Sequence, residues 1–260
     1  MTVTVLGCGS SGGVPLLGGP DGRGEWGACD PAEPRNRRRR SSILVQAPSG
    51  ERMLVDAGPD LREQMISSGV GRLDAVLLTH AHADHIMGLD ELRQVNRIVG
   101  ATLPLYADAP TLETVRARFD YAFRPMVRGF PRPALVPLEV RPGETAEIAG
   151  MAVRIFRQDH RVMDTLGLRI GGFGYSTDVW QMPEEGFKAL AGVRTWIVGC
   201  FARSPHPVHA HLDAVLAWRE RLGQPRTILT HMGTDLDWGW LAANLPAGVE
   251  AAHDGMLVRA

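Results

Sequence analysis

Between residues 79 and 85 the chain reads Thr-His-Ala-His-Ala-Asp-His. Imidazole nitrogens and carboxylate oxygens at this density have little structural use, but they are the ligands a divalent cation takes. In an extended turn His80 and His82 point to one side. Asp84 and His85, at the mouth of a helix, point to a second position a few ångströms away. That arrangement suits two adjacent ions. The plain alternative is a polar strand-to-helix turn in which Asp84 caps the helix and the histidines are solvated.

The cluster follows a hydrophobic strand at 75–78, and a helix begins near Ile86. Upstream, residues 2–6 alternate as a strand and run into the glycine-rich loop 7–15, which lets backbone approach a ligand or another backbone closely. Residues 16–40 are irregular and hold the basic run Arg35-Asn36-Arg37-Arg38-Arg39-Arg40, expected as a solvated face, with phosphate or oligomer contacts as the alternative. Strands at 41–46 and 53–56 flank a turn at 48–51, and a helix is expected over 60–68. Helices follow at 88–99 and 111–121 around a strand at 103–106. The Pro-rich, aromatic stretch 123–137 reads as a loop beside the site. Strands return at 135–140, 145–148, 152–158, 166–170 and 173–176. Helices at 183–191, 211–222 and 236–244 alternate with strands at 195–198 and 226–230. Two short strands close the chain around His253-Asp254-Gly255.

The 260 residues, 44% of them hydrophobic, allow a substantial core. A formal net charge of -1 gives no overall basic field, so nucleic acid is an improbable partner unless contacts are local. The first residues alternate like a strand and lack the pattern of a signal peptide, and no 18-residue apolar run is present to span a membrane. Cys8, Cys29 and Cys200 are odd in number and widely spaced, which points to a reducing cytoplasm.

His-x-His-x-Asp-His after a hydrophobic strand and a threonine resembles the signature of the metallo-β-lactamase-fold hydrolases. Later motifs extend the resemblance in order: His160 after a strand, Asp178 in Gly-Tyr-Ser-Thr-Asp, and His231 in Ile-Leu-Thr-His. Leu54-Val55-Asp56-Ala57-Gly58 resembles the family's first motif. The opening Gly7-Cys8-Gly9-Ser10-Ser11-Gly12-Gly13-Val14-Pro15 is similar to that of its cyclic-phosphate phosphodiesterase branch, the PhnP-like branch. The resemblance implies one domain over 1–260, folded as a four-layer αββα sandwich of the α/β (α+β) class. It also implies two divalent metal ions, zinc or manganese: His80, His82 and His160 on one, Asp84, His85 and His231 on the other, Asp178 bridging.

The same resemblance implies a hydroxide shared by the ions as the nucleophile, with Asp84 and Asp178 counted among the catalytic groups. It places His209, just ahead of a helix, beside the scissile phosphate as general acid or phosphate contact. Asp56 either supports a ligand histidine from behind or caps the helix at 60–68. Ser10, Ser11, His206 and Asp254 are weaker candidates for substrate or support roles. The expected activity is hydrolysis of a small, cyclic phosphate ester or nucleotide in the cytoplasm, by a chain that in relatives is often a homodimer. A tRNA 3′-processing endonuclease shares the metal motifs but typically inserts a long arm between the third histidine and the bridging aspartate. Here only residues 161–177 lie in that interval. A glyoxalase II-type thioester hydrolase shares the His-x-His-x-Asp-His core but lacks the Gly-Ser-rich opening and the His209 position. Two departures stand out. Several relatives have a structural zinc held by closely spaced cysteines in the 16–40 loop, where this chain has only Cys29. An acidic residue expected after the strand at 195–198 is replaced by Gly199-Cys200-Phe201.

Overall fold

A computed structural model describes residues 1–125 and 132–260. Among these residues β1 (Thr2–Gly7), β2 (Ser42–Gln46), β3 (Arg52–Val55), β4 (Ala75–Leu77), β5 (Leu103–Ala107) and β6 (Leu135–Glu139) build one mixed sheet. A second contains β7 (Thr145–Ile148), β8 (Met151–Asp159), β9 (Asp164–Ile170), β10 (Phe173–Ser176), β11 (Thr195–Gly199), β12 (Arg226–Thr230) and β13 (Val249–Ala251). The last strand, β14 (Leu257–Arg259), returns to the first sheet and pairs antiparallel with β1. Residues 249–258, expected as two strands about one turn, are therefore divided between the sheets.

The two-residue period of the strands explains the layers. On β1 to β4, Val3, Val5, Ile43, Val45, Met53, Val55, Ala75 and Leu77 share one core with Val153, Ile155, Leu168, Tyr175 and Ile197 of the second sheet. The alternate residues Leu44, Leu54, Val76 and Leu78 face the other way. They pack against α1 (Leu61–Ser67), α2 (Ala83–Ile86), α3 (Leu92–Val99) and α4 (Ala109–Arg118), through Leu61, Ile86, Leu92, Val95, Leu112 and Val115. On the far side α5 (Glu184–Leu190), α6 (Leu212–Arg221) and α7 (Trp238–Asn244) bury Phe187, Leu190, Val215 and Leu241 against the second sheet. The order is the expected αββα sandwich. Residues 123–137, expected as a loop, end inside β6; residues 126–131 lie outside the described residues.

β3 to β6 run parallel, as do β10 to β13. Parallel neighbours need crossovers, and the helices supply them on the outer faces. A consequence is that the carboxyl ends of β3, β4, β10 and β12 open on one edge, the usual place for a site in such sheets.

The irregular loop after β1 is stitched to residues 233–238. Arg38, 2% exposed, donates to the carbonyls of Gly233 (3.2 Å) and Leu236 (2.6 Å) and to Asn36 Oδ1 (3.1 Å). Asn36 Nδ2 donates to Asp237 Oδ2 at 2.7 Å, and the amides of Ala28 and Asp30 bond Thr234 O and Asp237 Oδ2. Cys29 lies 4.0 Å from the Arg38 guanidinium. A buried arginine thus holds the loop in which Cys29 is a free, buried thiol. The basic run is not the solvated face expected of it: Arg39 pairs with Asp254 and Arg40 with Asp60, leaving Arg37 exposed over Trp26.

Candidate metal centre

The donors meet because each stands just beyond a strand end. Asp56 follows β3, the segment from Thr79 to His85 follows β4, His160 follows β8, Asp178 follows β10 and His231 follows β12. Three of these positions, Asp56 (φ 64°), Asp178 (φ 47°) and His231 (φ 55°), adopt the left-handed conformation. Non-glycine residues hold it only where the surroundings enforce it, and such strain gathers at functional sites.

Two groups of ligand atoms result, each lying within 4.8 Å: His80, His82, His160 and Asp178, and Asp84, His85, Asp178 and His231. Asp178 belongs to both. His85 Nε2 is 3.1 Å from Oδ2 of Asp84 and 3.1 Å from Oδ2 of Asp178. That spacing fits neighbouring donors around one cation with bonds of about 2.0–2.2 Å.

The backs of the imidazoles are fixed by the protein. His85 Nδ1 donates to Asp56 Oδ2 at 2.8 Å. Asp56 also accepts from the Thr79 amide and hydroxyl, and the hydroxyl lies 3.0 Å from His80 Nδ1. His160 Nδ1 donates to the Val208 carbonyl at 2.9 Å. Ser41 gives its hydroxyl proton to Gly9 O and stands 3.2 Å from His231 Nδ1. With those atoms engaged, Nε2 of His80, His85 and His231 and Oδ2 of Asp84 are buried with no hydrogen-bond partner. Buried polar atoms are seldom left so. Together with the neighbouring carboxylates they form a set suited to metal binding.

Charge states at four of the five imidazoles fit the same reading. Burial holds His80, His82, His160 and His231 below the ordinary imidazole range, presenting neutral nitrogens. Burial would also neutralise the carboxyls, but His85 at Asp84, and His231 with His85 at Asp178, outweigh it and keep both below the usual carboxylate range. Burial opposes charge on His85 as well, yet Asp178 and Asp56 on either side push it well above the imidazole range.

Of its two expected roles, Asp56 takes the one behind His85. Asp60 precedes α1 without a side-chain cap bond and instead binds Arg40. His209 sits over the centre, its ring centroid 4.7 Å from His160 and 4.9 Å from His231, and its Nδ1 4.0 Å from Asp178 Oδ1. Burial, followed by the neighbouring His231, lowers its pKa to about 3. Phe201 stacks on it at 5.0 Å and His206 at 5.3 Å. Phe201 and Ser41 were missed in the sequence, where neither a phenylalanine nor a strand serine signals a site.

The glycine-rich loop braces the centre. Amides of Gly9, Ser10 and Gly13 donate to Arg39 O, Met232 O and Ser10 O, so these three are engaged with protein. Ser10 is buried, and the Ser11 carbonyl accepts from Arg40. Asp254 accepts from the Cys8 and Arg39 amides, tying the β14 end to this loop. A Cβ on Gly7 would stand 2.1 Å from Arg40 O, which explains that glycine by backbone approach. Gly58 supports the ligand helix in the same way, its hypothetical Cβ falling 2.1 Å from Asp84 O. Gly58→Ala must shift Asp84, at about 1–3 kcal/mol for such overpacking. Thermal unfolding should come several degrees lower and bound metal should fall; unchanged values of both would refute the contact.

The model of the beta-lactamase superfamily domain matches residues 51–232. Over the whole chain, the fold superposes on a new diphosphatase from the PhnP family with a TM-score of 0.89, 33% identity and 97% of that chain covered. The protein belongs to the PhnP branch of the beta-lactamase superfamily. The zinc-bound PqqB of Methylobacterium extorquens shares the fold at TM-score 0.76 and 20% identity. An octanoyltransferase of Porphyromonas gingivalis is 32% identical over 98% of this superfamily member and 51% of its own length. A ribonuclease Z of Bradyrhizobium is 33% identical over 52% of the chain and 44% of its own. The chain thus spans about half the length of these curated relatives.

Proposed function

We propose that the protein is a cytoplasmic, dinuclear-metal phosphodiesterase that hydrolyses a small, cyclic phosphate ester. The observation that carries this reading is the pair of ligand groups sharing Asp178, with buried, unpartnered Nε2 atoms on His80, His85 and His231 and with His209 4.0 Å from Asp178. His80, His82 and His160 would hold one divalent cation, zinc or manganese, and Asp84, His85 and His231 the other. Such ions, when bound, lower the pKa of coordinated water toward about 7 and neutralise charge on a phosphate.

The chain's own residues do the rest. Asp56, Thr79, Ser41 and the Val208 carbonyl fix the imidazoles against rotation, so the ligand atoms need little reorganisation. His209 faces the position above Asp178 where a substrate phosphate would sit. The low pKa of His209 in the free site makes it neutral there. A phosphate oxyanion placed beside it favours the protonated ring, so His209 takes up a proton from solvent as substrate binds and passes it to the leaving oxygen. The stack of Phe201 and His206 keeps its ring in place. His209→Ala should retain bound metal and lower kcat by about 10²–10⁴-fold on an alkoxide-leaving substrate. Loss of less than fivefold would remove His209 from the chemistry.

Among the described residues, the interval between His160 and Asp178 is spent on β9 and β10, which supports a small substrate over a precursor tRNA. A second reading, hydrolysis of a diphosphate ester, is favoured by the diphosphatase relative. Turnover of cyclic nucleotides, phosphoribosyl cyclic phosphate, bis(p-nitrophenyl) phosphate, diphosphate esters, precursor tRNA, S-lactoylglutathione and an octanoyl thioester, each with zinc or manganese, tests both. Preference for cyclic esters supports the first reading and preference for diphosphates the second. No turnover of any phosphate ester by metallated protein would sink both.

A further inference from the structure

We infer that Arg161 is a positioning residue for His209, acting through the carbonyl of Pro207. His209 lies on an irregular segment, residues 203–210, between β11 and α6. Pro205 and Pro207 have no backbone N–H, so this part of the segment is held through carbonyls and side chains. At its start Arg203 pairs with Asp235, and at its end the Ala210 amide donates to Val179 O. Between those anchors two successive residues hold two successive carbonyls. His160 Nδ1 donates to Val208 O at 2.9 Å, and Arg161 Nη1 donates to Pro207 O at 2.7 Å.

Successive side chains of an extended strand point to opposite sides, which would send Arg161 away from the segment His160 touches. Its left-handed conformation, φ 69°, breaks that alternation. Asp159 Oδ1 accepts the Arg161 amide at 2.6 Å and fixes the turn. The guanidinium lies over Trp180, 5.0 Å from the ring centroid, and the Trp180 amide is itself bonded to Asp159 O. One three-residue turn therefore carries the metal-ligand candidate His160 and the clasp on the His209 segment. The bond is exposed, so it adds little to global stability; its effect is on where His209 stands.

This inference rests on His209 as proton donor to the leaving group. The test compares Arg161→Asn, which tolerates a left-handed backbone but is too short to reach Pro207, with Arg161→Lys, His209→Ala and the Arg161→Asn/His209→Ala double variant. Substrates are two esters of one phosphate, leaving as p-nitrophenolate or as ethoxide. Misplacement of a reacting group by about 1 Å costs on the order of 10²-fold, so Arg161→Asn should slow the ethyl ester about 10- to 100-fold. The p-nitrophenyl ester, which needs no acid, should slow less than about threefold. Lysine should recover part of the loss, and asparagine should cost nothing further in the His209→Ala background. Without any turnover, hydrogen exchange in residues 203–211 should quicken in Arg161→Asn at unchanged metal content. Equal loss on both esters, additive losses in the double variant or unaltered exchange would overturn the role of Arg161. If His209→Ala itself slows both esters equally, the proton-donor reading fails, and the inference fails with it.

Discussion

On the proposed dinuclear reading, Asp178→Asn should reduce bound zinc or manganese from two ions per chain to one or none and nearly abolish turnover. Asp178 is the one side chain shared by both ligand groups, with its Oδ2 3.1 Å from His85 Nε2 and 3.2 Å from His231 Nδ1. Asparagine has nearly the same shape, so packing is kept, but its single neutral oxygen cannot compensate two cations and its amide hydrogens point into a site lined by donors. Losing an outer partner of a metal ligand typically costs about 10–100-fold, and losing a shared ligand must cost more. Elemental analysis and turnover measured on the same preparation check this. Two ions retained, with turnover within threefold of the parent, would rule out the shared-aspartate arrangement.

Arg38→Ala should give a large loss of stability from a single change outside the centre. It empties a space at 2% exposure and strands the carbonyls of Gly233 and Leu236, which then face no donor. Each such buried acceptor costs about 1–3 kcal/mol, so roughly 3 kcal/mol is expected in all after partial relaxation. For a chain of this size that corresponds to a fall in Tm of roughly 6–12 °C. The same change loosens residues 233–238, which begin two positions after His231, so metal occupancy at the group of Asp84, His85 and His231 should drop while the other group is spared. Arg38→Lys keeps the charge but not the planar fork, and should recover less than half of the stability. A Tm within 2 °C of the parent for Arg38→Ala would show that other contacts hold the loop.

The two substitutions separate what was legible in the sequence from what was not. Four of the seven metal-ligand candidates were legible because the dense cluster at 80–85 admits few uses; His160, Asp178 and His231 were legible only through the resemblance to the family, whose later motifs they match in order. The alternation of Val3, Val5, Ile43 and Val45 with Leu44 and Leu54 likewise encodes two buried faces, and so a sheet covered on both sides. Local signals of period 2 and 3.6 carry that information directly. The helix at 88–99 was only partly so: the structure has a turn of 3₁₀ helix at Leu89–Glu91 and then α3, since Gly88 packs against the Gly58 carbonyl, its hypothetical Cβ falling 2.0 Å away.

Long-range partners decided the rest. Nothing local distinguishes Arg38, buried under residues 233–238, from Arg37, exposed on Trp26; position in the fold alone makes one a clasp and the other a surface group. β13 and β14 are neighbours in the chain but belong to different sheets, because β14 finds its hydrogen bonds on β1 and β13 on β12. Ser41 and the Val208 carbonyl support His231 and His160 from distant points in the chain, and a serine or a carbonyl has no sequence signature for that task. The sequence by itself determined the candidate ligand types, written in short-range pattern, and through its resemblance to the family their order and the layered fold. Only the tertiary structure decided which groups orient those ligands, how the loop before Arg40 is held and where His209 stands. Those depend on hydrogen bonds between residues far apart in sequence, and such pairings exist only once the sheets have closed on each other.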